Sequence, residues 1–240
     1  WVIEAGLVRY AQRIEPLEGP PRLQYEVLVR LRDREGRLHA PGVFLPAMER
    51  YGQVMAVDRF VLMAVCRHFA RNPGRLAGVE LCHVNVSAQS VADPAFLEHA
   101  GALLDRHPGV GARLCFESAE TAVIANLDDA CRFVEAMRVR GCRIALDDFG
   151  TGYASLTHLR HLPIDRLKID RSFVSALEGD GGRQESLALV RAILALAGTL
   201  GIETVGEGVE TEAQRRILHE LGCSCGQGFL LGRPAERRRD

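Results

Sequence analysis

Short apolar, β-prone runs alternate with helical patterns along almost the whole chain, and this alternation restricts the fold more than any other feature. The runs lie at 25–31, 79–86, 113–116, 143–146, 166–169, 203–205 and 228–231, with helical patterns at about 58–70, 94–106, 126–140, 155–161, 186–200 and 210–221. Repeated β-then-α units imply parallel strands joined by crossover helices. In a chain of 240 residues, about seven or eight such units point to a closed (β/α)8 barrel ahead of a doubly wound open sheet. The segment Gly19–Pro21 and the turn-like DREG at Asp33–Gly36 interrupt the pattern early. The expectation is therefore a single domain over residues 1–240, a TIM-like α/β barrel with an irregular, hairpin-like first strand.

Charge and cysteine usage narrow the function classes. A formal net charge of -1 lacks the basic excess that a nucleic-acid polymer demands. The 7 cysteines are odd in number and scattered, and they form no C-x-x-C pair. They read as reduced core thiols of a cytoplasmic protein, with Cys223 and Cys225 too isolated for a zinc site. No run approaches the roughly 18 apolar residues of a membrane span, since 186–200 carries Arg191 in its middle. The chain starts at Trp1, so the expectation is a fragment of a longer multidomain protein, with any membrane anchor lying in parts not present.

The stretch RIALDDFGTG at 143–152 raises the chemical question. Successive strand residues point to opposite faces, so Asp147 and Asp148 converge only if the strand stops and the chain turns, as Gly150 and Gly152 allow. A polar strand end leading into a loop is the competing reading. Other runs end in the same manner: Asn85 ends VELCHVN, Glu117 ends RLCFE, Lys168 lies in RLKID, Glu207 ends ETVGE, and Glu26 lies within the first run. In a TIM barrel the strand C-termini build the active site. An all-oxygen set with one neutral amide suits Mg²⁺ or Mn²⁺ over zinc. Five acids exceed what one magnesium takes, whereas two ions sharing a bridging carboxylate use them, and two-ion sites serve in-line displacement at phosphorus. Lys168 would orient the attacking water or neutralise charge on phosphoryl oxygens; a local ion pair with Asp165 or Asp170 is its alternative. On residue chemistry alone the reading is metal-dependent phosphoester hydrolysis.

Glu26-Val27-Leu28, followed by Val29-Arg30, resembles the signature of EAL domains, the bacterial cyclic di-GMP phosphodiesterases. The resemblance continues in order through FLPAMERYG (44–52), VNVS (84–87), ESAET (117–121), DDFGTGYASL (147–156), LPIDRLKID (162–170), GEGVET (206–211) and QGFLLGRP (227–234). It implies hydrolysis of one phosphodiester of cyclic di-GMP to linear pGpG with two Mg²⁺ or Mn²⁺ ions. By resemblance, Glu26, Asn85, Glu117 and Asp147 look like ligands of the first ion, and Asp147, Asp148 and Glu207 like those of the second. Lys168, with Asp148 and Glu207, resembles the catalytic group, and Asp170 is expected to position Lys168. Arg30 resembles a phosphate contact, Leu28 a guanine contact, and Gln12 and Gln227 groove-lining polar positions that, with Asp170, face the substrate. Glu120 and Glu210 resemble acids that brace the loop after Asp148, which couples dimerisation to activity in the family. A homodimer and an upstream sensory or GGDEF-type domain are likewise implied.

Val27, Gly206 and Phe229 depart from the commoner Ala, Ala and Tyr, and none of these changes removes a ligand. Because every acid of the set is present, the resemblance implies a hydrolase; a catalytically silent cyclic di-GMP receptor is the alternative. Asp148-Phe149-Gly150 also matches the kinase D-F-G, but no glycine-rich loop or H-R-D precedes it. His158 and His161 read as helix positions and Gly179–Gly182 as a connector without the lysine of a phosphate-binding loop.

Overall fold

The computed structural model describes residues 6–151, 162–178 and 182–236. Among these residues ten strands form one sheet: β1 (Leu7–Pro16), β2 (Gln24–Arg32), β3 (Leu38–His39), β4 (Leu81–Asn85), β5 (Leu114–Ala119), β6 (Arg143–Phe149), β7 (Arg166–Ile169), β8 (Glu203–Glu207), β9 (Cys225–Gln227) and β10 (Ala235–Glu236). The order β1-β9-β8-β7-β6-β5-β4-β2 closes through a β1–β2 pairing, so eight strands make a barrel while β3 and β10 extend its rim. From β2 through β4 to β9 the barrel neighbours are parallel, and β1 is antiparallel to both β2 and β9.

The expected irregularity lies in β1, a barrel strand that the hydrophobic pattern did not reveal. Its burial does not alternate, because Ala11 joins the core and Gln12 is buried too. β1 and β2 form the hairpin anticipated around Gly19, with Gln12 opposite Glu26. DREG is a second hairpin turn, in which the Asp33 carboxylate accepts from Arg37 N at 2.8 Å and Arg37 Nε at 2.7 Å. The last strand also differs from expectation. β9 ends at Gln227, and the apolar Gly228–Leu231 turns back on Val209. A Cβ on Gly228 would lie 2.1 Å from Val209 O, and Leu230 N donates to that same oxygen.

Helices cover the outside: α1 (Pro41–Arg50), α2 (Val54–Arg71), α3 (Pro73–Gly78), α4 (Ala88–Ala92), α5 (Pro94–Asp105), α6 (Glu120–Ala125), α7 (Leu127–Val139), α8 (Arg171–Ser175), α9 (Arg183–Leu200) and α10 (Glu212–Glu220). In α2, Val54, Val57, Val61, Leu62, Val65 and Phe69 recur at helical spacing and are buried. Asp93 caps α5 ahead of Pro94, and Thr211 with Gln214 makes a capping box on α10. α1, α3, α4, α6 and α8 were not legible as helices. The expected helix at 155–161, with His158 and His161, lies outside the described residues, as does most of 179–182.

The main core fills the space between sheet and helices, where Phe116 meets Phe133 edge-on at 5.4 Å. Inside the barrel the packing is different. Small apolar clusters, Leu81–Cys115–Ala145 and Ile14–Val205–Cys225, share that space with buried Gln24, Glu26, His83, Glu117, Arg166, Lys168 and Gln227. Inward-facing polar residues at the strand C-termini thus build the barrel mouth. All 7 cysteines are free thiols, and Cys223 Sγ donates to Cys225 O at 3.3 Å. Among the described residues no helix is long and apolar enough to cross a membrane.

Candidate active site

The geometry of the barrel mouth centres on Lys168. Its Nζ lies 2.7 Å from Glu207 Oε1, 3.0 Å from Glu117 Oε2, 3.2 Å from Asp147 Oδ1 and 3.3 Å from Glu26 Oε2. One buried ammonium is thus shared among acids from β2, β5, β6 and β8. The alternative pairing with Asp165 fails, because Asp165 is bound to Arg138 Nη1 at 2.8 Å and to Ile144 N at 2.9 Å. Asp170 caps α8, accepting from Ser172 N at 2.9 Å, and lies near enough to Asp148 to help raise that carboxyl. The contacts that hold Lys168 Nζ are those of the four carboxylates.

Glu26 is the best-braced acid. Its Oε1 accepts from Asn85 Nδ2 at 2.6 Å, and its Oε2 accepts from Gln227 Nε2 at 2.6 Å and Lys168 Nζ at 3.3 Å. Gln227 Nε2 also reaches Gln12 Oε1 at 3.3 Å, and Gln12 Nε2 donates to Gly232 O at 3.0 Å. Strand register explains the convergence, since Gln12 pairs with Glu26, Asn85 with Glu117, and Glu207 with Gln227.

The adjacent acids Asp147 and Asp148 converge because β6 is broken at that point. Its register against β7 shifts between Leu146 and Phe149, and Asp148 has φ 53°, the one left-handed non-glycine residue among those described. A bulge re-aims side chains in this way. Asp147, Asp148 and Glu207 can then present oxygens all within 4.8 Å of one another. Gly150 (φ 98°) completes the turn where a Cβ would lie 2.9 Å from Phe173 Cε2, and its N–H donates to Glu120 Oε2 at 2.8 Å.

The acids outnumber the ammonium, and their proton affinities record this. Burial opposes charge on Lys168, but Asp147, Glu117, Glu207 and Glu26 outweigh it and hold the ammonium well above its ordinary range. Burial would raise Glu26, yet Lys168 and the bonds from Gln227 and Asn85 bring it below the usual value. For Glu117, burial with Glu26 and Asp147 defeats Lys168 and pushes the carboxyl well up. Glu207 rises to about 8 through burial and the charges of Asp147 and Glu26, against Lys168. Asp148 rises through burial, then Asp147 and Asp170. Asp147 Oδ1, though close to Nζ, has no hydrogen-bond partner and is buried. An acid set that outnumbers the single ammonium among the described residues at its centre, with a buried Asp147 oxygen that no hydrogen bond satisfies, has the donor chemistry for hard divalent cations.

Among the described residues, two cavities open on these acids. One, of about 660 Å³, runs from Glu26, Leu28, Asn85 and Asp147 between α1, α2 and α4. The other, of about 630 Å³, runs from Gln12, Glu26 and Asp148 past Glu207 to Gln227 and Phe229. Glu26, Leu28, Asp147 and Asp148 line both. Arg30 stands on the same strand face as Glu26 and Leu28 but folds away: its guanidinium lies 5.4 Å from the centre of the Tyr10 ring and donates to Val29 O at 2.8 Å. Glu210 is exposed in the second cavity, where its N–H donates to Gln214 Oε1 at 2.8 Å.

Sequence reasoning missed the layer beneath the acids, formed by His83, Arg166 and Gln24. His83 Nδ1 lies 2.5 Å from Glu117 Oε1 and its Nε2 3.1 Å from Arg166 Nη1. The signal was available, because His83 stands two residues before Asn85 on the same strand and so shares its inward face. Asp58 was also missed. It is buried in α2 and accepts at Oδ2 from Ser87 N (2.9 Å), Ser87 Oγ (2.6 Å) and Ser90 Oγ (2.7 Å), holding the turn after Asn85.

The EAL domain model matches residues 6–234. Over 215 residues the chain is 38% identical to the bifunctional diguanylate cyclase/cyclic di-GMP phosphodiesterase MucR of Pseudomonas aeruginosa, a match covering 89% of this chain and 31% of that protein. It is 36% identical over 219 residues to the cyclic di-GMP phosphodiesterase NbdA of the same organism, covering 88% and 27%. The solved structure of the PaMucR phosphodiesterase in complex with c-di-GMP superposes with a TM-score of 0.87 at 37% identity, covering 96% of this chain and 92% of that one. The chain therefore spans less than a third of the length of these curated relatives.

Proposed function

The chain belongs to the EAL domain family, and from that premise we propose that it hydrolyses one phosphodiester bond of cyclic di-GMP, giving linear pGpG, with Mg²⁺ or Mn²⁺ as cofactor. The observation that carries this reading is the pair of cavities meeting at Glu26, Leu28, Asp147 and Asp148. A dinucleotide spread across both would set one phosphate over the acids and a nucleoside in each lobe. The relatives named as cyclic di-GMP phosphodiesterases support the same substrate.

Glu26, Asn85, Glu117 and Asp147 would hold one ion, and Asp147, Asp148 and Glu207 a second, with Asp147 common to both. Bound there, the ions would polarise the phosphoryl oxygens and acidify the attacking water. The chain's own groups do the remainder. Lys168 stays charged, orients that water and offsets negative charge building on phosphorus-bound oxygens. The water oxygen bonds to phosphorus as the P–O3′ bond breaks, leaving a 5′-phosphate and a 3′-hydroxyl. Leu28, at the divide between the lobes, packs against a base, and Gln12 and Gln227 fix the groove wall beside Glu26. Arg30 reaches a phosphate by leaving the Tyr10 ring, and Asp170 faces substrate beside Asp148. Glu120 braces the turn through Gly150, with Glu210 acting on the same loop. A homodimer and an upstream sensory or GGDEF-type domain, as in a relative named a bifunctional cyclase and phosphodiesterase, belong to the same reading.

The test is incubation of the purified chain with cyclic di-GMP and Mg²⁺ or Mn²⁺, an EDTA control, and chromatographic separation of nucleotides. The expected result is pGpG in the metal arms alone. Binding without turnover would make the chain a receptor, and turnover unaffected by EDTA would remove the ions from the mechanism.

A further inference from the structure

We infer that His83 and Arg166 are positioning residues that fix the Glu117 carboxylate in the orientation needed to bind a cation; this rests on the metal-site reading above. His83 lies on β4 one inward position below Asn85 and is wholly buried. Its Nε2 is 3.1 Å from Arg166 Nη1 and its Nδ1 is 2.5 Å from Glu117 Oε1. A guanidinium has donors and no acceptor, so Nε2 must accept and carries no proton. The imidazole is then neutral with its hydrogen on Nδ1, donating to Glu117 Oε1. That bond ties down one oxygen of Glu117 and leaves Oε2, 3.0 Å from Lys168 Nζ, turned to the acid cluster.

Arg166 is itself held on every side. Nη1 donates to Gln24 Oε1 at 2.6 Å, while Nε and Nη2 donate to Glu203 Oε2 at 2.9 and 2.7 Å. Glu203 begins β8, at the end of the barrel away from the mouth. A continuous line of hydrogen bonds therefore runs from Glu203 through Arg166 and His83 to Glu117 and Lys168. Apolar side chains fill neighbouring interior positions at Leu81, Cys115 and Val205, so the barrel interior does not require a polar residue at 83 for packing. Outer partners that orient a ligand in this way typically contribute about 10–100-fold in metal affinity.

Two readouts besides turnover test the assignment. Long-range ¹⁵N–¹H spectra of histidine-labelled protein report the tautomer, with the His83 signals identified by their loss in His83→Gln. The expected signature is a neutral ring protonated on Nδ1; a ring protonated on Nε2 overturns the assignment. Mn²⁺ titration without nucleotide, followed by the free-ion paramagnetic resonance signal, should show affinity about 10–100-fold weaker in His83→Leu. His83→Gln, which can still donate to Glu117, should recover most of that loss. A folded His83→Leu that binds Mn²⁺ as the parent does refutes the positioning role alone. A parent that binds no Mn²⁺ overturns the metal reading and this inference with it. The parent spectrum decides the tautomer whether or not His83→Leu folds.

Discussion

Replacing Lys168 with methionine keeps a long side chain and removes the one ammonium shared by Glu26, Glu117, Asp147 and Glu207. Deleting one partner of a buried ion pair costs about 3–5 kcal/mol, because the opposite charge stays buried without compensation. For a chain of this length each kcal/mol moves Tm by about 2–4 °C, so Lys168→Met should lose roughly 6–20 °C in EDTA. Without Lys168, which holds Glu207 down against the burial and neighbouring acids that raise it, that carboxyl binds its proton more tightly still and partly replaces the missing cation, so the loss should grow as the pH is raised. Divalent cations should substitute for the lost charge. At a hundredfold excess over Kd they contribute about 2.7 kcal/mol, and with no ammonium competing they should stabilise the variant more than the parent. Differential scanning calorimetry of both proteins, in EDTA and in excess Mg²⁺, measures all four quantities. A variant as stable as the parent in EDTA, or a gap that Mg²⁺ leaves unchanged, would refute the electrostatic account of the barrel mouth.

Other expectations concern single contacts. Asp147→Asn should leave the circular dichroism spectrum intact while lowering turnover by more than about 100-fold, the scale of a lost electrostatic contact at a reaction centre; unchanged turnover would sink the bridging role. Glu120→Ala strips Gly150 N–H of its acceptor, so hydrogen exchange at Gly150 should accelerate and local stability fall by about 1–3 kcal/mol. Gly206→Ala would put a Cβ 2.6 Å from Leu218 Cδ1, costing about 1–3 kcal/mol by denaturant unfolding, and Leu218→Val should restore most of it. Burial pushes the thiols of Cys66 and Cys142 up to about 12 and that of Cys223 to about 11, so iodoacetamide at pH 8 should label them only after unfolding.

The barrel was legible where burial imposes a simple pattern. β4, β5, β6 and β7 carry apolar residues outward to the helices, and these four and β8 each place a polar inward residue within two positions of the C-terminal end, where the strands open at the mouth. β1 was hidden because both its faces are covered, so LVRYAQRIEP lacks the alternation of a half-exposed strand. The apolar Gly228–Leu231 misled in the opposite sense: its hydrophobicity serves a turn packed on Val209, and hydrophobicity alone does not distinguish that from a strand. The acid cluster was readable from strand ends, but its assembly depends on the bulge and the left-handed Asp148, which only three-dimensional register reveals. Gly206, a departure from the commoner Ala, has a local cause in Leu218, which occupies the space a methyl group would need. Val27 is buried in the main core on the face opposite Glu26, as alternation requires. Arg166, Gln24 and His83 were overlooked because a polar side chain inside a barrel has no sequence signature apart from its register with a recognised neighbour.

Whether two ions share Asp147 is decided by anomalous diffraction at the manganese edge from crystals grown with Mn²⁺. Two peaks are expected at the barrel mouth, one among Glu26, Asn85 and Glu117, the other among Asp148 and Glu207, with Asp147 between them. A single peak, or none within reach of Asp147, would contradict a shared two-ion centre.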